Sequence, residues 1–328
     1  MGAWTREDSD GAAGSAAVSG FVHDGLFFDS PDELVGVAAP FVLDGLAAGD
    51  AVAIAVSSQN SGHLRKAVGD DPRVVILDGG GSYHSRAAAT IAGWRRLAAQ
   101  RSAEGFGRLR VIGEVDFGST AAEQLEWQRY EAVINHALAV TPLWGLCVFD
   151  TRRCAEPVLS CARHTHPQLV DAGGRRANPA FVDPVRYLGA LPVPVEPLEA
   201  TAPRLVAGDV SDFVGLRHSV QARLAETGGP ADLLEDFVLA VDEMTSNALR
   251  HGAPPVELSL WTAPGTVVCT IRDAGAGWAD PFAGYGPAHG EDLSRGGMGL
   301  WLARQLCDHV ALRRDEHGAS VRLTTRWA

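Results

Sequence analysis

The chain has 328 residues, 46% of them apolar and 21% charged, with a mean hydropathy near zero and a formal net charge of −12. Length and apolar content suit two globular domains and exclude a wholly disordered or fibrous chain. The acidity is even, with 16 basic and 21 acidic groups in residues 1–180 and 12 and 19 in residues 181–328. Neither half offers the basic footprint that direct nucleic-acid binding or docking on anionic lipid requires.

Residues 1–20 are rich in Gly, Ala, Ser and acid and read as a disordered tail. They lack the basic and apolar regions of a secretory signal. From His23 onward short apolar runs alternate with helical stretches. Strands are expected at Gly25–Phe28, Ala51–Val56, Val74–Leu77, Leu109–Val115 and Leu143–Phe149, and helices at Pro31–Leu46, Tyr83–Ala99 and Ala121–Ala139. This alternation implies an α/β domain with a mostly parallel sheet and helices on its faces. The longest uncharged run, Ala132–Phe149, is broken at Pro142. It reads as a helix end followed by a buried strand, and no membrane span is expected. Five cysteines, an odd number, point to reduced thiols and a cytoplasmic protein.

Residues 173–203 hold six prolines, Pro179, Pro184, Pro192, Pro194, Pro197 and Pro203, and read as a semi-rigid linker. The domains expected are therefore 21–172 and 204–328. In the second, helices are expected at Ser211–Glu226 and Pro230–His251, then strands at Val256–Trp261 and Thr266–Arg272. A Gly-rich loop to Gly299 leads into a helix ending near Cys307 and strands near Val310–Arg313 and Ser320–Thr325.

The helix around residues 230–251 carries an apolar stripe of Leu233, Leu234, Phe237, Val238, Val241, Met244, Ala248 and Leu249. Glu243 and Asn247, four apart, share a face at the margin of that stripe. A solvated Glu and a surface Asn would show the same spacing. The later segments decide between the readings. Strand two ends in Arg272-Asp273-Ala274-Gly275-Ala276-Gly277, and Gly296-Gly297-Met298-Gly299-Leu300 stands immediately before a helix. Such glycines let backbone N–H groups approach phosphate, and a helix N-terminus adds a favourable dipole.

The ordered set ExxxN, DxGxG, GGxGL resembles the GHKL ATPase superfamily over residues 205–325, and most of all the stand-alone ATPase domains of anti-sigma-factor serine kinases. The resemblance implies a GHKL (Bergerat) α/β sandwich that binds ATP with Mg²⁺. It makes Glu243 the residue that polarises the nucleophile and Asn247 the Mg²⁺-binding amide. It makes Asp273 the acceptor of the adenine amino group, with Gly275 and Gly277 shaping the adenine pocket. Gly297 and Gly299 match the second glycine box, with a lid between Trp278 and Arg295, and Ser320 stands near a family Thr. His251 either extends the Glu243–Asn247 face or caps the helix.

A sensor histidine kinase needs a phosphoacceptor His on a helical hairpin before the ATPase domain. His218 lies inside the ATPase region, and the Pro-rich segment upstream cannot hold such a hairpin. The resemblance thus implies a protein-serine/threonine kinase and anti-sigma factor. Its partners would be a STAS-type anti-anti-sigma protein and an alternative sigma factor, and it would form a homodimer. A non-catalytic ATP-binding module that sequesters partners is the alternative.

In the first domain, the segments at His23–Asp29, Gly113–Asp116, Trp127–Glu131 and Leu146–Asp150 resemble the MEDS sensory domain. That resemblance implies a RecA-like sensory fold for a small-molecule signal. Glu114 and Asp116 face one side of a strand near its C-terminal end, where parallel sheets bind ligands. His23, Glu114 and Trp127 are the candidate sensory residues. Gly79-Gly80-Gly81-Ser82 lacks a P-loop Lys and reads as a turn. Cys147, Cys154 and Cys161, spaced by seven with His164 and His166 close by, allow a metal or redox site, but Cys147 lies in an expected buried strand and the spacing matches no common zinc pattern, which weighs against metal.

Overall fold

The computed structural model describes residues 20–78, 83, 86–286 and 298–327. The chain divides into two compact units, one within residues 20–84 and 90–190 and the other within 85–89 and 191–327. The expected tail, the Gly79–Ser82 turn and Gly297 lie outside the described residues.

The first unit is built on a seven-stranded sheet. Its strands are β1 (Val22–Phe28), β2 (Ala51–Val56), β3 (Val74–Asp78), β4 (Leu109–Gly113), β5 (Leu143–Asp150), β6 (Gln168–Asp171) and β7 (Gly174–Ala177). Their order is β3-β2-β4-β5-β1-β6-β7, parallel throughout except for the β6–β7 hairpin. β2 and β4 are buried along their whole length, as strands covered on both faces must be. Helices α1 (Pro31–Ala47), α2 (Ser58–Val68), α3 (Ala87–Ala103), α4 (Ala121–Ala137), α5 (Glu156–Thr165) and α6 (Pro184–Ala190) connect and cover them. α4 starts on a full capping box, Thr120 with Glu123. Asp24, fully buried on β1, is neutralised by a two-pronged pair with Arg175 on β7 and a bond from the Trp144 indole.

Residues 173–203, expected as a linker, carry elements of their own. β7 and α6 belong to the first unit, and a 3₁₀ turn (Pro197–Ala200) belongs to the second.

The second unit has a five-stranded antiparallel sheet of β8 (Leu205–Ala207), β9 (Glu257–Ala263), β10 (Thr266–Asp273), β11 (His309–Asp315) and β12 (Gly318–Arg326), ordered β11-β12-β10-β9-β8. Helices α7 (Phe213–Ala225), α8 (Ala231–His251) and α9 (Gly299–Leu306) supply the other half of the core. Phe237, Val241 and Met244 of α8 meet Leu258, Ile271 and Leu323 of the sheet there. Leu249, expected in the buried stripe of α8, is 46% exposed, and Ala240 and Thr245 are buried instead. The opposite sheet face is crossed by residues 194–201. Glu199 accepts bonds from Thr270 and Arg322, Glu196 accepts one from Arg326, and the Trp261 indole donates to the Thr201 carbonyl.

Candidate functional site

α8 is flanked by the cap residues Pro230 and Gly252, with Asp232 in its first turn and Arg250 and His251 in its last, which suits the helix dipole. Its half-buried Glu243 and Asn247 lie together on one flank. α9 starts directly against them. A Cβ on Gly299 would stand 2.8 Å from Asn247 Nδ2 and 2.9 Å from Glu243 Oε2. Only glycine lets the helix start approach so closely. Among the described residues no side chain caps the start of α9, and a helix N-terminus beside a carboxylate and an amide suits an anion.

The other end of the site is the end of β10. Asp273 is buried, and its Oδ1 accepts from Gly275 N at 2.7 Å and Ala253 N at 3.3 Å. Oδ2 has no partner among the described residues. It is a fixed acceptor open to a ligand. A Cβ on Gly275 would stand 2.6 Å from Asp273 Oδ1, and one on Gly277 would stand 2.8 Å from the Ala319 methyl. Gly277 also has φ +67, a conformation glycine adopts without strain. Gly252 packs directly against the Asp273 carboxylate. Its sequence signal was only a helix stop.

Ser320 is not part of this arrangement. In the β10–β12 ladder Asp273 pairs with Ala319, and Ser320 pairs with Arg272. Side chains alternate across a sheet, so Ser320 faces away from Asp273 and Ala319 faces with it. His251 is exposed at the helix end. Two residues missed in the sequence support the loop side. Arg304 on α9 donates to the carbonyls of Ala283 and Val310 and to the Tyr285 hydroxyl, and its guanidinium lies 4.2 Å from the Tyr285 ring. It holds the described start of the expected lid against α9.

The three candidates of the first unit fall in separate surroundings. Glu114 accepts from Ser57 N and Asn60 Nδ2 and so caps the start of α2. Trp127 stacks edge-on against Tyr83 and Tyr130. His23 is buried on β1 beside Cys147 and Glu131. Of the Cys/His set at 147–166, Cys154 is half-buried, Cys161 is bonded near Thr165, and His164 lies against Tyr187.

An antiparallel sheet backed by helices, with a carboxylate and amide facing a glycine-started helix, defines a GHKL-type ATP-binding domain. Residues 206–325 match the family model described as histidine kinase-like ATPase domain, and residues 22–167 match that of the MEDS domain, the methanogen/methylotroph, DcmR sensory domain. The chain carries an N-terminal MEDS domain followed by a C-terminal histidine kinase-like ATPase domain. No curated protein matches it. Among solved structures it is similar to the RsbU and RsbW domains of a Mycobacterium tuberculosis protein. The identity is 16% and the TM-score 0.27, over 62% of this chain and 45% of that one. Among the described residues no helix is long and apolar enough to cross a membrane.

Proposed function

We propose that the protein is an ATP-dependent serine/threonine kinase and anti-sigma factor whose substrate is a STAS-type anti-anti-sigma protein. The observation that carries this reading is the seat of Gly299 against Glu243 and Asn247. It puts a carboxylate, an amide and a helix N-terminus at one point, an arrangement that supports phosphoryl transfer.

The residues fit ATP and Mg²⁺. Asp273 Oδ2 would accept the adenine amino group, and Gly275 and Gly277 would flank the base. The N-terminus of α9 would hold the phosphates and Asn247 would hold Mg²⁺, which supplies charge neutralisation in an acidic chain. Glu243 would take the proton of an incoming Ser or Thr hydroxyl. His218 is exposed on α7 inside the same unit, which favours an acceptor hydroxyl on another protein over an internal histidine.

Labelled ATP, Mg²⁺ and a STAS-domain protein should yield phosphoserine or phosphothreonine on that protein. Glu243→Gln should keep ATP binding and slow transfer by about 10²–10⁴-fold, and Asn247→Ala should abolish transfer. ATP binding without phosphoprotein would support the sequestering alternative instead. A sensory input through the MEDS domain and control of an alternative sigma factor belong to the same proposal.

A further inference from the structure

Four side chains that the ATPase site does not use meet in the first unit. His23 comes from β1, Cys147 from β5, Glu131 from α4, and His166 from the residue that ends α5. All four are buried. Each offers one ligand atom, and these atoms lie within 4.8 Å of one another. His23 Nε2 is 3.4 Å from Cys147 Sγ and 3.5 Å from Glu131 Oε2, and His166 Nε2 is 3.5 Å from the same oxygen. Ligands at zinc distances of about 2.0–2.3 Å in a tetrahedron stand about 3.3–3.8 Å apart. The close pairs already have that spacing.

The proton positions follow from the outer contacts. Asn135 Nδ2 donates to the carbonyls of Glu131 and Thr165, so its Oδ1 must face His23 Nδ1 at 3.1 Å. That oxygen can only accept, so His23 Nδ1 carries the proton and Nε2 a lone pair. His166 Nδ1 donates to the Ala162 carbonyl at 2.8 Å, which turns its own Nε2 lone pair inward. His166 Nε2 and both Glu131 oxygens have no hydrogen-bond partner among the described residues. Buried acceptors left without a hydrogen-bond partner are costly.

We propose that His23, Glu131, Cys147 and His166 form a buried four-ligand site for a divalent transition metal of the zinc class. Imidazole and thiolate together suit zinc, and the two Nδ1 contacts are the outer hydrogen bonds that orient metal-binding histidines. Charge closes as well. One divalent cation with a thiolate, a carboxylate and two neutral imidazoles is a neutral centre, which a buried position tolerates. Binding displaces the Cys147 proton, and that of Glu131 where present, to solvent. An aromatic cavity bordered by Tyr83, Trp94 and Tyr130 touches His23 and Cys147.

The test uses the full chain. Purified protein from zinc-supplemented cells should hold one zinc per chain by elemental analysis. Stripped with chelator and given Co²⁺, it should show tetrahedral d–d bands and a thiolate-to-cobalt charge-transfer band. Cys147→Ser should lose the charge-transfer band and Cys154→Ser should keep it. Should Cys147→Ser fail to fold, Asn135→Ala gives the reading through a metal affinity lower by about 10–100-fold. Folded wild-type protein that takes up no metal overturns the proposal, and so does a charge-transfer band that survives in folded Cys147→Ser or an affinity unchanged in Asn135→Ala.

Discussion

Single atoms decide the chemistry of both units. Gly299 is one such position: Gly299→Ala drives a methyl into Asn247 and Glu243 and should weaken ATP binding by about 1–3 kcal/mol, the usual cost of overpacking, as calorimetry would read. The thiols divide as sharply. Burial pushes Cys161 and Cys307 up to about 12 and raises Cys147 and Cys269 well above the ordinary thiol range. A raised thiol holds little thiolate at pH 8, and thiolate is the reactive form. Burial raises Cys154 too, but it is the one half-buried thiol among five, so access should make it the thiol that iodoacetamide labels in the native protein, with the other four labelled only after unfolding; mass spectrometry of the adducts checks this. The Glu243–Asn247 pair and the Asp273–Gly275–Gly277 run were legible in the sequence because each lies within one helix turn or one strand end. Ser320 was not placed correctly, because adjacent residues of a strand face opposite ways and the ladder register is not written in one strand. The four-residue cluster was invisible for a related reason. Its members sit on four elements, and only Cys147 and His166 fell within one suspect segment.

Elements were legible where burial is complete. β2 and β5 begin as expected because uninterrupted apolar runs have few alternatives. α2 was missed. It buries only Asn60 and Leu64, and its start is set by the Ser57 cap, with Glu114 bonded to Ser57 N and Asn60. Edge strand β7 was missed because Arg175 and Arg176 make it read as loop, although Arg175 supplies the counter-charge to Asp24. The Pro-rich stretch after it was expected to span between domains. Residues 194–201 instead lie along the outer face of the second sheet, where Arg322 is buried and bonded to both Glu199 and the Pro194 carbonyl. Glu199→Ala strips that arginine of its carboxylate and should cost about 2 kcal/mol. Denaturant unfolding of the second unit measures it, with Glu257→Ala, on an exposed residue of β9, as the neutral control.

At the scale of the molecule, each unit should answer to its own ligand. ATP at about 100 times its Kd should stabilise the second unit by about 2.7 kcal/mol, seen as slowed hydrogen exchange in β10 and α8. Chelator treatment should loosen β1 and β5 in the first unit. The net acidic charge of both halves repels a DNA backbone. The carboxylate at the end of β10 adds a choice of fuel. Both backbone N–H groups land on Oδ1, so the carboxylate cannot turn, and Oδ2 presents acceptor character alone. A 6-oxo purine would set an oxygen against that oxygen, whereas a 6-amino purine brings a hydrogen to it. GTP should therefore fail to compete with ATP at this site, and the cell's guanine nucleotides should leave the protein unoccupied.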